Sequence, residues 1–121
     1  QPFLDLSEEF SLYFIDGEFA YAMRTGGRGR WDLAPFDPSD SLHAWGRAFA
    51  AWADMPYGLQ RVDGGVLRDG TCLLMEIEDQ VPYLSLMELD ARRLYDFVRR
   101  LAGSLERNLF AVPTGAPSEG R

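Results

Sequence analysis

The stretch Gln60-Arg61-Val62-Asp63-Gly64-Gly65-Val66-Leu67-Arg68-Asp69-Gly70-Thr71-Cys72-Leu73-Leu74-Met75-Glu76-Ile77-Glu78 reads as a β-hairpin that stacks three carboxylates. Asp69-Gly70 is the dipeptide of a two-residue type I′ turn, in which both central residues need positive φ. With that turn Arg68 faces Thr71, and counting back along both strands sets Asp63 opposite Glu76 and Arg61 opposite Glu78. These four share one face. Val62, Val66, Leu73, Met75 and Ile77 fall on the other and form an apolar back, while Leu67, Cys72 and Leu74 share the charged front nearer the turn. Directly opposed side chains stand roughly 5 Å apart at Cβ, where like charges repel. A divalent cation relieves that repulsion. Two or three carboxylates, with the remaining positions left to water and phosphate oxygens, are how Mg²⁺ is held in phosphoryl-transfer sites. The other reading of the same residues is a solvated hairpin face whose acids are neutralised by Arg61 and water.

Working outward, Asp16-Gly17 is a second type I′ signal, flanked by strand-like runs at residues 10–15 and 18–24. Two-residue counting sets Glu9 opposite Arg24, Ser11 opposite Ala22 and Tyr13 opposite Ala20. It leaves Phe10, Leu12, Phe14, Phe19, Tyr21 and Met23 on a common core face. Residues 25–38 contain Gly26, Gly27, Arg28, Gly29 and Arg30, a loop composition that can wrap phosphate with backbone N–H groups and guanidinium forks, or can simply be mobile surface. A helix is expected over 39–55, with Leu42, Trp45, Phe49 and Trp52 on one stripe and Pro56 ending it. Asp90 reads as the N-cap of a second helix through about residue 105, with Leu94, Phe97, Val98, Leu101 and Leu105 as its stripe. The order hairpin, helix, hairpin, helix predicts an α+β domain: an antiparallel β-sheet with two helices on one face and the acidic face left open.

The length of 121 residues supports one domain with a moderate core. A formal charge of −7 argues against a nucleic-acid surface, and all twelve basic residues are Arg, with no Lys in the sequence. The single cysteine, Cys72, excludes an intramolecular disulfide, suits a reducing compartment and reads as a small packed side chain rather than a nucleophile. No apolar run approaches the ~18 to 20 residues of a membrane span, so the expected location is soluble and cytoplasmic. The sequence opens at Gln1-Pro2-Phe3 without Met and moves at once into strand-like residues, as if cut from a longer polypeptide. Residues 1–110 read as the folded unit, and 111–121, rich in Pro, Gly, Ser and Ala, as a flexible tail.

These elements resemble the C-terminal half of the ATP-grasp domain of carboxylate–amine ligases, closest in look to the D-cycloserine ligase-like group. The resemblance covers almost everything from residue 1 to about 109. Its most specific part is R-x-D followed by E-x-E on the next strand, here Arg61-Val62-Asp63 and Glu76-Ile77-Glu78, with Pro82 shortly after. It implies that Asp63, Glu76 and Glu78 bind the Mg²⁺ (or Mn²⁺) that bridges ATP phosphates, and that Arg61 acts catalytically on the transferring phosphate or the acyl substrate. Gln1-Pro2-Phe3 and Glu9-Phe10-Ser11-Leu12 look like the group's QPF…GExSL stretch, with Glu8 in place of its glycine and Arg24 where relatives more often carry Lys. Glu9, Ser11 and Arg24 from this stretch, with Arg28 from the glycine- and arginine-rich loop, are the expected nucleotide contacts. The implied activity is that of an ATP-binding ligase that joins a small carboxylate to an amine through an acyl phosphate, with residues 82–86 and the first-hairpin face bordering the substrate. Expected partners are ATP, the two substrates and the N-terminal ATP-grasp lobes this sequence lacks, with self-association through the uncovered cleft wall. The alternative from another class is a non-catalytic interaction or structural domain on an ATP-grasp scaffold.

Overall fold

The computed structural model describes residues 5–25, 32–79 and 82–110. Arg28, Gln1-Pro2-Phe3 and the expected tail at 111–121 lie outside them. Five strands, β1 (Leu6–Ile15), β2 (Glu18–Thr25), β3 (Leu33–Pro35), β4 (Leu59–Leu67) and β5 (Cys72–Glu78), form one antiparallel sheet in the order β3-β2-β1-β4-β5. Two helices, α1 (Asp40–Trp52) and α2 (Ala91–Leu105), complete the α+β architecture. Each has its side-chain N-cap. The Ser39 hydroxyl accepts from the Leu42 N–H, and the Asp90 carboxylate accepts from the Arg93 N–H, which satisfies one of the unpaired donors at each helix start.

The first turn forms as expected, with Asp16 at φ 54 and Gly17 at φ 78. One residue further into β2 the ladder slips: Phe14 pairs with Phe19, but Tyr13 pairs with Tyr21, so Ala20 is an extra residue in a β-bulge. The slip turns every later β2 residue over. Leu12 now faces Ala22 and Ser11 faces Met23, so Tyr21 and Met23 leave the face they were expected to share with Phe10 and Leu12. The consequence is two cores. Phe10, Leu12, Phe14, Ala22 and Val62 pack against Leu42, Trp45, Phe49 and Ala50 of α1. Tyr13, Ile15, Tyr21 and Met23 pack against Phe97 and Leu101 of α2. The helices therefore lie on opposite faces of the sheet, and the expected placement of both on one face is corrected, because the bulge gives the second face its own apolar end. Trp52, expected on the buried stripe of α1, is exposed at the helix end.

The second hairpin contains two irregularities. Leu67 pairs across to Thr71, whose carbonyl accepts the Leu67 N–H at 2.9 Å, and only Gly70 of the connection has positive φ, at 89. The connection is thus the three residues Arg68-Asp69-Gly70, with glycine taking the left-handed position, rather than a two-residue type I′ turn. Gly64 then pairs with Leu74, but Asp63 pairs with Glu76, which leaves Met75 as a second bulge. Between loop and bulge the faces are reversed from the simple count. Cys72 and Leu74 pack into the α1-side core, and Met75, expected in the apolar back, is half exposed.

A close approach fixes Gly64. A Cβ there would meet the Phe10 ring and lie 2.8 Å from Trp45 Cη2, both inside the α1-side core. Gly64→Ala is accordingly expected to cost about 1–3 kcal/mol through overpacking. Urea denaturation measures it, and an unchanged midpoint would show that the two rings give way freely.

Candidate functional site

Beyond the two bulges the sheet brings four strands into register on the α2 side. One transverse row runs Met23, Ser11, Asp63, Glu76 and the next runs Tyr21, Tyr13, Arg61, Glu78. α2 and its approach segment cover the tyrosine end, where Tyr13 and Tyr21 stack at 4.2 Å and Phe97 meets Tyr21 edge-on at 5.3 Å. The acidic end stays open. It forms a cleft of about 510 Å³ floored by Glu9, Ser11, Arg61, Asp63 and Glu76, with Met75, Tyr83 and Ser85 also lining it.

Arg61 organises the floor. Its Nε donates to both Asp63 oxygens at 2.9 and 3.1 Å, and its Nη2 donates to Asp63 Oδ2 at 2.8 Å. The same Nη2 lies 3.0 Å from Glu78 Oε2 and 3.7 Å from Glu76 Oε2. One cationic nitrogen thus stands at the focus of three carboxylates. The Ser11 hydroxyl donates to Asp63 Oδ1 at 2.7 Å and fixes that carboxylate from the β1 side. Partial burial works against the Arg61 charge, but the hydrogen bonds and charge of Asp63, helped by Glu78, outweigh it and hold the guanidinium above its usual range. Burial also raises the Tyr13 phenol, against the opposing pull of Ser85 and Arg61, so a neutral hydroxyl sits beside the ion cluster. Tyr21 is raised further, chiefly by burial, and its hydroxyl donates to the Leu84 carbonyl at 2.6 Å.

Of the residues singled out from the sequence, Glu9, Ser11, Arg61, Asp63 and Glu76 line one cleft and Glu78 touches Arg61 at its side. Arg24 is not with them. It pairs across the ladder with Phe10, stands 5.2 Å from the Phe36 ring centroid and lies 3.9 Å from Glu8, on the α1 side of the sheet. The expected pairing of Glu9 with Arg24 fails because the Ala20 bulge turns Arg24 over. Tyr13 and the carbonyls of Tyr83 and Leu84 are site groups that residue types alone do not flag. The proline after E-x-E is the signal that marks their segment. Among the described residues, no group of three or more His, Cys, Asp and Glu side chains is arranged to hold a metal ion as it stands. The donors are nonetheless hard oxygens of the kind Mg²⁺ takes, and what occupies their common focus is a guanidinium nitrogen.

In overall structure the chain is similar to the D-cycloserine synthetase DcsG, with a TM-score of 0.59 and 26% sequence identity. It is also similar to the ATP-grasp ligase PsnB in complex with a phosphomimetic variant of its minimal precursor, Mg and ADP, with a TM-score of 0.62 at 14% identity. The fold is part of an ATP-grasp domain. This ATP-grasp portion aligns over 80% of the chain but only 38% of DcsG, and over 84% of the chain but only 34% of PsnB. PsnB complexed with precursor peptide PsnA2 and AMPPNP gives a similar match, with a TM-score of 0.59. No protein-family model and no curated protein matches the chain. Among the described residues of this ATP-grasp portion, no helix is long and apolar enough to cross a membrane.

Proposed function

We propose that this chain supplies the carboxylate-bearing part of the active site of an ATP-dependent carboxylate–amine ligase. The observation that carries the reading is the convergence of Asp63, Glu76 and Glu78 on one cation position at the edge of an open cleft, within an ATP-grasp fold. In this reading the three carboxylates hold Mg²⁺ or Mn²⁺. Such an ion, when bound, neutralises phosphate oxygens during phosphoryl transfer to the acyl substrate, and an amine then displaces the phosphate. Ser11 fixes Asp63 by donating to Oδ1, which leaves Oδ2 as the oxygen aimed at the cation. Arg61, a permanent cation anchored in the sheet, is placed to attract and orient the anionic groups that react. Glu9 and Ser11 form the wall against which the nucleotide lies, and Tyr83 and Ser85 border the substrate.

One observation favours the second reading, a non-catalytic domain on the same scaffold. Arg61 already holds the cation position and pairs closely with Asp63 and Glu78, so the focus of the cluster carries a positive charge without a metal. Calorimetry separates the two. The chain alone is expected to bind MgCl₂ weakly and Mg-ATP feebly, without hydrolysis, because a chain without lysine and with net charge −7 offers one acidic wall to a polyphosphate. Joined to a lysine-bearing ATP-grasp lobe, it is expected to bind Mg-ATP tightly and to turn it over with an acyl substrate. Tight binding with hydrolysis by the chain alone would overturn the half-site reading, and no divalent binding in either form would leave the non-catalytic one.

A further inference from the structure

Arg61 is engaged on two sides. While its Nε and Nη2 hold the carboxylates, its Nη1 donates to the Tyr83 carbonyl at 3.2 Å. The next carbonyl, that of Leu84, accepts from the Tyr21 hydroxyl at 2.6 Å. Ser85 follows in the left-handed region, at φ 52 and ψ 39, a conformation a non-glycine residue keeps only where its surroundings impose it. It opens the 3-10 turn Leu86–Glu88, in which the Glu88 N–H donates to the Ser85 carbonyl at 3.1 Å and the Leu89 N–H to the Leu86 carbonyl at 3.2 Å. A strained segment is thus pinned to the sheet by Arg61 and Tyr21 at its carbonyls and by Tyr13 at the Ser85 side chain, and Arg61 is the cation that the carboxylates currently share.

We infer that Arg61 is a positioning residue that couples cation occupancy of the carboxylates to the order of the Tyr83–Leu89 segment. The inference rests on the metal reading above. Mg²⁺ lies about 2.0–2.1 Å from its oxygen ligands, whereas the Nη2 nitrogen stands 2.8, 3.0 and 3.7 Å from the three carboxylate oxygens. A divalent ion therefore has to draw the oxygens inward onto the place the guanidinium holds, and two cations cannot share that focus. Displaced, Arg61 swings into the cleft and gives up the Tyr83 carbonyl. The segment then keeps its Tyr21 hydrogen bond, the Ser85 contact with Tyr13 and the packing of Leu84, Leu86 and Leu89 on the α2-side core, but loses its tie to the ion cluster, and the left-handed Ser85 has less to hold it. The coupling runs both ways by linkage, so a ligand that orders or displaces the segment changes the affinity for the cation.

The test is amide hydrogen exchange of this chain in MgCl₂ against NaCl at matched ionic strength, with Mg²⁺ binding followed in parallel by calorimetry. Saturating Mg²⁺ is expected to speed exchange at the Glu88 and Leu89 amides by roughly fivefold, as for a local opening, and to leave the β1 and β4 amides unchanged. Arg61→Lys keeps the charge but loses the planar fork. It is expected to exchange fast at these amides without Mg²⁺ and to show no further response. Tyr21→Phe, which leaves the ion cluster intact, raises the baseline but keeps the Mg²⁺ response. Mg²⁺ binding with unchanged exchange at Glu88 and Leu89 would overturn the coupling while leaving the metal reading in place. No Mg²⁺ binding at all would overturn both.

Discussion

Glu76→Gln is expected to lower the turnover of a ligase assembled on this chain by roughly a hundredfold, while its melting temperature holds or rises. The two readouts part because of where Glu76 sits. Its side chain is 60% exposed and its closest cation is 3.7 Å away, so it contributes little to packing or to ion pairing in the absence of metal. It does add a third negative charge to a cluster served by one guanidinium, and removing a like charge from a crowded strand pair relieves repulsion. Glutamine keeps the shape and one oxygen but cannot neutralise a divalent ion. Steady-state kinetics with Mg²⁺ and Mn²⁺, run beside a thermal melt, make the comparison. A fall of several degrees with unchanged kcat would make Glu76 structural. Asp63→Asn is expected to move both readouts, because Asp63 is largely buried and holds Arg61 and Ser11.

Asp16→Ala is expected to cost about 2–4 kcal/mol of stability, the largest single loss in the sheet end remote from the cleft. The carboxylate accepts from the Gly58 N–H at 2.9 Å, from the Ser104 hydroxyl at 2.8 Å and from Arg107 at 3.2 Å, and so ties the loop before β4 and the end of α2 to the first turn. The exposed Arg107 pair contributes least, since water screens it. Asp16→Asn keeps an acceptor for Gly58 and Ser104 and tolerates the left-handed turn position, so about 1 kcal/mol or less is expected. Burial alone would raise the Asp16 carboxyl, but Gly58, Ser104 and Arg107 together hold it below 3.8. Its contribution is complete above the ordinary carboxylate range and is lost as pH falls through the lower native value. Urea midpoints between pH 7 and pH 2 should therefore fall less steeply at the acid end in Asp16→Asn than in the parent chain. Parallel slopes would show that the carboxylate is not held by these donors.

How much of this was legible in the sequence depends on the element. Helix ends were legible because Ser39 and Asp90 are caps with a defined hydrogen-bonding chemistry, and the first turn because Asp16-Gly17 needs positive φ at both residues. Bulges were not. Ala20 and Met75 carry no side-chain signature of an unpaired position, yet the Ala20 bulge turns over Tyr21, Met23 and Arg24, and the extra loop residue turns over Cys72 and Leu74 until the Met75 bulge reverses the strand again. Asp63 does stand across from Glu76, for a reason the count does not contain: the connection is one residue longer than a type I′ turn and the Met75 bulge restores the difference. The pairing of β1 with β4, which sets Ser11 beside Asp63, joins residues about fifty apart in the chain, and no local pattern encodes it.

Met75 has a consequence for how this hairpin can change length. Because the irregularity lies between the acidic pair and the loop, the two ends of β5 keep their alignments independently, as two rulers joined by a sliding piece. Excising Met75 would leave Leu74 across from Gly64 and bring Glu76 directly after it, still across from Asp63, in an uninterrupted ladder. The acidic stack therefore owes nothing to that residue for its alignment. What the insertion adds is local twist in the outermost strand and a thioether at the cleft wall, so lineages or designs can gain or lose it to reshape the wall without disturbing the charges beside it.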